Sequence, residues 1–191
     1  MIHVYFPTLF YIQENVISDE ENNFLINELY KIKKNNEKGG SNWISKVYNT
    51  LGSYSLHNDK NFKNLRNVVS FHTNNFAKKL NSDYIYECKE SWFNFYNKGD
   101  YQEYHTHPYS VFSAVYYFSN PLDSGKIIFE NPIEPDMCPL KNVTKFDNLN
   151  SNLCTFQPNS KSLLIFRSNI RHMVEKNNND ETRITGAFNL S

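Results

Sequence analysis

The hydrophobic period changes once along this chain, near residue 84, and that change restricts the fold more than any other feature. Before it, two stretches carry apolar residues at helical spacing. In residues 18–34, SDEENNFLINELYKIKK, the side chains of Phe24, Leu25, Leu29 and Ile32 share a face. Ser18 and Glu21 form a capping box, acidic residues fill the first turn and lysines the last, as the helix dipole favours. Residues 59–80 predict a second helix through Phe62, Leu65, Val68, Val69, Phe76 and Leu80. Beyond residue 84 the period is two. The segments 84–97, 111–119, 126–130, 161–166 and 182–190 are rich in β-branched and aromatic residues, and turn formers such as NKGD (97–100), PLDSG (121–125) and QPNS (157–160) divide them. Helices followed by about eight short strands predict an α+β chain, with the helices on one side of an antiparallel sandwich or jelly roll. The second sheet's inner face is then free to line a pocket.

The remaining stretches fit around this frame. Residues 3–12 read as a strand or extended arm, 35–42 as a loop, and 43–56 as irregular or partly extended. Residues 131–152 read as an insert or lid, since long loops within a domain are usually functional or disordered. No internal repeat is visible. The expectation is one domain over 1–191, helical or irregular to residue 83 and β from 84.

Composition narrows the classes of function. The 20 basic and 20 acidic residues cancel. Nothing in that balance suits nucleic acid or an anionic membrane surface. The three cysteines, Cys88, Cys138 and Cys154, are odd in number and include no CxxC pair, so neither a disulfide framework nor a zinc ribbon is suggested. No stretch approaches the ~20 apolar residues of a membrane span, and the apolar N-terminus lacks a basic region and a cleavage site. The expected setting is the cytoplasm, or a host's cytoplasm for a viral chain.

One stretch carries chemistry. In YQEYHTHPYSVFSAVYYFSN (101–120), His105 and His107 stand two apart, a spacing that puts both on one face of a strand. They are either polar residues near a turn or half of a metal site. His172 is the one late histidine able to join them, and imidazole suits iron, zinc, copper or nickel. Glu130, in GKIIFENP, is an alternative anionic ligand. Eleven positions after His172, Arg183 opens an apolar strand. An arginine directed into a barrel needs a partner, either a structural carboxylate or a bound one held bidentately. His72 falls within the second helix and reads as a surface or packing histidine.

Together these residues resemble the iron(II)- and 2-oxoglutarate-dependent dioxygenases. That family has HxD or HxE, a distal histidine and then an arginine on a double-stranded β-helix core. His105 matches the first histidine, His172 the distal one and Arg183 the arginine. The strand AVYYFSNP (114–121) resembles prolyl-hydroxylase-like members. The GGSNW stretch (39–43), HxHP, the paired tyrosines and the terminal RI…FN resemble a 2-oxoglutarate/Fe(II) oxygenase family found in marine bacteria and their phages. The likeness covers roughly residues 39–190. It implies Fe(II) held by His105, His107 and His172, with no catalytic residue beyond these ligands. It implies 2-oxoglutarate as cosubstrate, bound by Arg183, Tyr117 and Tyr96, and O2 as co-reactant. It implies hydroxylation of a peptidyl residue or small metabolite, with succinate and CO2 as coproducts. No nucleic-acid or membrane partner is expected, and a homodimer is left open. The sequence departs from the motif where the family has Asp or Glu, because His107 stands there. The competing readings are a cupin-like metal-binding barrel, against which Val111 stands where a cupin glutamate belongs, and an inactive relative that keeps the pocket for binding.

Overall fold

Two α-helices, two short 3-10 turns and ten strands form among residues 1–40, 43–133 and 140–191, which the computed structural model describes. In chain order the α-helices and strands are β1 (Tyr11–Gln13), α1 (Asp19–Asn35), β2 (Tyr48–Asn49), α2 (Lys63–Lys79), β3 (Cys88–Tyr96), β4 (Gln102–His105), β5 (Phe112–Ser119), β6 (Ile127–Glu130), β7 (Leu153–Phe156), β8 (Leu163–Arg167), β9 (His172–Val174) and β10 (Arg183–Leu190). All pairings are antiparallel. They build a six-stranded sheet, β1-β8-β5-β10-β3-β2, and a four-stranded sheet, β4-β9-β6-β7. This is the jelly-roll arrangement expected from the pattern of elements.

Side-chain alternation decides what each face of the large sheet does. Phe93 and Phe95 of β3, Phe112, Ala114, Tyr116 and Phe118 of β5, and Ile184, Phe188 and Leu190 of β10 face the helices. There they join Leu25 and Leu29 of α1 and Leu65, Val69 and Phe76 of α2 in one core. Burial of each large apolar side chain contributes roughly 1.5–3 kcal/mol. The helices are also latched by a polar contact. Asn22 of α1 is buried, its Nδ2 donates to the Phe118 carbonyl (3.0 Å), and its Oδ1 accepts from the Tyr116 hydroxyl (2.9 Å). Gly186 of β10 leaves room on this face, since a Cβ there would lie 3.0 Å from Phe118 Cε2 and 3.2 Å from Leu56 Cδ1. The opposite parity, including Trp92, Tyr96, Val115, Arg183 and Ala187, lines a cavity whose far wall is Ile127, His172 and Val174 of the small sheet.

Several local expectations shift. The capping box forms, with Ser18 Oγ accepting from the Glu21 amide at 3.2 Å. Phe24 is 49% exposed, so α1 buries a narrower face, centred on Leu25 and Leu29. The second helix starts at Lys63 rather than 59, because Asp59 accepts from the Asn61 amide (2.7 Å) and caps a short 3-10 turn first. Of the 3–12 arm only Tyr11 and Ile12 enter a strand, paired with β8. The strands β2, β4, β7 and β9 run two to four residues, too short to show a period of their own. The described part of the 131–152 insert is irregular. It joins β6 to β7, with the Asn131 amide donating to the Asn152 carbonyl at 2.8 Å. Residues 134–139, with Cys138, lie outside the described residues, as do positions 41 and 42 of the GGSNW stretch.

Candidate metal centre

Three imidazoles converge at one end of the cavity. His105 ends β4 and His172 opens β9, and the register places them directly opposite each other, with ring centroids 4.2 Å apart. His107 arrives differently from the expectation of two histidines on one strand. It lies past the end of β4, in a turn tied down by its own amide, which donates to the Ser168 carbonyl at 3.0 Å. Its ring is held near-parallel between Trp92 (5.4 Å, 21°) and His172 (5.0 Å, 19°). One ligating nitrogen from each of the three can be chosen so that all lie within 4.8 Å of one another.

Hydrogen bonds at the other ring nitrogen define the tautomers. His105 Nδ1 donates to the Glu103 carbonyl (2.7 Å) and His172 Nδ1 to the Ile170 carbonyl (2.9 Å). His107 Nδ1 faces Asn189 Oδ1 at 2.7 Å. With the proton on Nδ1, each Nε2 presents a lone pair, the form in which imidazole binds metals. Burial pushes all three histidines down, His107 to about 4 and His172 well below the usual range, so the cluster is neutral at pH 7. The Nε2 atoms of His107 and His172 then sit 3.2 Å apart with no proton to share. Two nitrogens held by one metal at right angles, at ordinary bond lengths, stand about 3.0 Å apart. The donor set therefore fits a metal ion.

The other end of the cavity carries a buried cation. Arg183 is 1% exposed and makes no ion pair among the described residues. Its Nη1 donates to the Gly125 carbonyl (2.9 Å), while its Nε and the neighbouring Tyr117 hydroxyl have no hydrogen-bond partner. The guanidinium carbon lies 5.3 Å from the ring centroids of both Tyr96 and Tyr117, close enough for a cation–π attraction. Burial raises both phenols, so each keeps its proton as a donor. Tyr96 spends its proton on Gln102 Oε1 at 2.8 Å, and Tyr117 remains free to donate. An unpaired buried charge is costly. A carboxylate has the charge and the acceptor oxygens that would satisfy both groups.

Glu130 is not brought to the cluster. Its neighbour Phe129 is paired with His172 and points inward, so Glu130 points out and accepts from Arg171 Nη1 at 2.8 Å. His72 packs as expected, its Nδ1 2.8 Å from the Tyr11 hydroxyl. Sequence reasoning missed Trp92, Gln102, Gly125 and Asn189. Asn189 and Gly125 fall in stretches that the resemblance covers, yet nothing in their spacing reveals what they touch.

Residues 90–189 match the family described as "Putative 2OG-Fe(II) oxygenase". No curated protein matches the chain in sequence. Among solved structures it is similar to the non-heme alpha ketoglutarate dependent carbocyclase SnoK from nogalamycin biosynthesis (TM-score 0.70, 10% identity, 96% of this chain and 79% of that one). It is also similar to a Pseudomonas putida prolyl-4-hydroxylase (TM-score 0.64, 14% identity, 95% and 92%). A third similar structure is HygX from Streptomyces hygroscopicus with nickel and 2-oxoglutarate bound (TM-score 0.64, 13% identity, 96% and 83%). At these identities the likeness establishes the double-stranded β-helix fold.

Proposed function

Since the chain belongs to the 2OG-Fe(II) oxygenase family, we propose that His105, His107 and His172 hold its iron and that Arg183 and Tyr117 hold the far carboxylate of 2-oxoglutarate. The protein is an oxidoreductase, a 2-oxoglutarate-dependent dioxygenase with Fe(II) as cofactor. One observation carries the assignment of residues. A cluster of neutral, lone-pair-bearing histidines and a buried, unpaired Arg183–Tyr117 pair line or border the same cavity.

Iron and 2-oxoglutarate, when bound, supply the oxidation: O2 is consumed, 2-oxoglutarate leaves as succinate and CO2, and a substrate C–H bond is hydroxylated. The chain's own residues bind, orient and exclude water. Arg183, fixed by the Gly125 carbonyl, offers Nε to a carboxylate, and the Tyr117 hydroxyl donates to the same group. Val115, Ile127, Val174 and Ala187 form an apolar wall between the two ends, which keeps water from competing for those bonds. Gln102 keeps the Tyr96 phenol turned aside. The three ligands are uncharged, where the familial motif supplies one carboxylate, so only the chelating end of 2-oxoglutarate brings negative charge to the metal, its far carboxylate being matched by Arg183. The substrate is a peptidyl residue or a small metabolite. The similar structures include proteins whose names point each way, a prolyl-4-hydroxylase and a carbocyclase.

The test is anaerobic addition of Fe(II) and 2-oxoglutarate to metal-free protein, followed by visible absorbance. A charge-transfer band in the wild type, absent in Arg183→Ala although iron is retained, is the expected result. Retention of iron by His107→Ala at wild-type affinity would remove His107 from the ligand set.

A further inference from the structure

The three histidines do not fix their tautomers in the same way. His105 and His172 each donate Nδ1–H to a backbone carbonyl two residues earlier in their own strand region. A carbonyl can only accept, so those tautomers are determined locally. His107 instead faces the amide of Asn189, and an amide can present either its oxygen or its nitrogen.

The neighbours of Asn189 remove that freedom. Asn189 lies on β10 between Glu90 of β3 and Ser113 of β5, its direct cross-strand partners. Glu90 Oε2 stands 2.9 Å from Asn189 Nδ2. A carboxylate only accepts, so the NH2 end of Asn189 must face Glu90. Ser113 Oγ donates to Asn189 Oδ1 at 2.9 Å and is in turn 2.8 Å from Ser168 Oγ. Asn189 Oδ1 therefore points at His107, which must answer with Nδ1–H, leaving the Nε2 lone pair turned into the histidine cluster.

We propose that Glu90 and Asn189 are positioning residues that hold His107 as the Nδ1–H tautomer and so make it a competent ligand at the place where the family motif has a carboxylate. A carboxylate, that of Glu90, stands behind the ligand instead, beyond one amide and one imidazole. Ligating histidines elsewhere donate their second N–H to such outer acceptors, and loss of these acceptors costs about 10–100-fold in metal affinity. This inference rests on the ligand set proposed above.

Two readouts test it. The first is NMR of 15N-histidine-labelled, metal-free protein, in which the wild type shows His107 protonated at Nδ1 alone. Glutamine can donate as well as accept, so in Glu90→Gln the Asn189 amide is free to turn. The expected spectrum then contains the Nε2–H tautomer of His107, with His105 and His172 unchanged. The second readout is Co(II) affinity by chelator competition, expected to fall about tenfold in Glu90→Gln and up to about 100-fold in Asn189→Leu. An unchanged His107 tautomer together with wild-type Co(II) affinity in Glu90→Gln overturns the proposal. Glu90 is exposed, so this variant decides the matter even where Asn189→Leu does not fold. His107→Ala separates the two readings. Loss of Co(II) there with none in Glu90→Gln overturns only the positioning role, while retention of Co(II) in His107→Ala overturns the ligand set itself.

Discussion

At the scale of single residues, the cavity's two ends answer to different substitutions. Tyr117→Phe removes the donor without changing shape. A hydrogen bond to a charged group is worth about 1.5–3 kcal/mol, so 2-oxoglutarate affinity should fall about tenfold or more, read by anaerobic titration of the iron-loaded protein, with iron binding unchanged. Gly125 matters for a different reason. Its φ of +90° suits glycine, and a Cβ would lie 2.4 Å from the Glu175 carbonyl oxygen. Gly125→Ala should destabilise the fold by about 1–3 kcal/mol and also weaken 2-oxoglutarate binding, because the Gly125 carbonyl holds Arg183. A chemical denaturation curve and the same titration check both parts. Cys88 belongs to this scale too. Burial pushes its thiol up to about 12, so at pH 8 it should resist alkylation in the folded protein and react once unfolded, as mass spectrometry would show.

At the scale of elements, the polar latches decide how the layers meet. α1 is joined to β5 through Asn22, whose amide serves a backbone carbonyl and a buried tyrosine hydroxyl at once. The insert between β6 and β7 sits at the edge of the small sheet, and none of its described residues lines the cavity. Its described part carries exposed Leu140, Phe146 and Leu149. If it serves as a lid, these side chains close over bound substrate and keep water out. Shortening 131–152 to a tight turn should then leave iron and 2-oxoglutarate binding intact and uncouple 2-oxoglutarate consumption from product formation. Unchanged coupling, measured as succinate formed per product, would remove the lid role.

At the scale of the whole molecule, two histidines outside the metal cluster tie stability to pH. Burial lowers His57 and His72, the first also because of the Arg66 charge. Their folded values lie below the unfolded value near 6.5, so the unfolded chain binds more protons as pH falls through that region. The associated stability is fully present above about pH 6.5 and declines below it. The urea midpoint should drop between pH 7.5 and 5.5, and the drop should be smaller in the double variant His57→Asn, His72→Asn.

The identity of the chemistry was legible along the chain. His105, His107, His172 and Arg183 could be named as candidates because side-chain type and order are written in the sequence, and the structure brings the four to one cavity; the helix and strand periods follow from which faces must be buried. The local means were not legible. His107 reads as a strand neighbour of His105, yet a turn anchored on Ser168 delivers it. Glu130 reads as a candidate ligand, yet the pairing of Phe129 with His172 turns it outward. Asn189, Glu90 and Gly125 carry no signal at all, since their roles are contacts with residues up to 99 positions away. Sequence by itself determined which groups are present and which faces are apolar, because those depend on side-chain type and local period. Only the tertiary structure decided which lone pairs, donors and charges meet, because register and parity across two sheets set those distances.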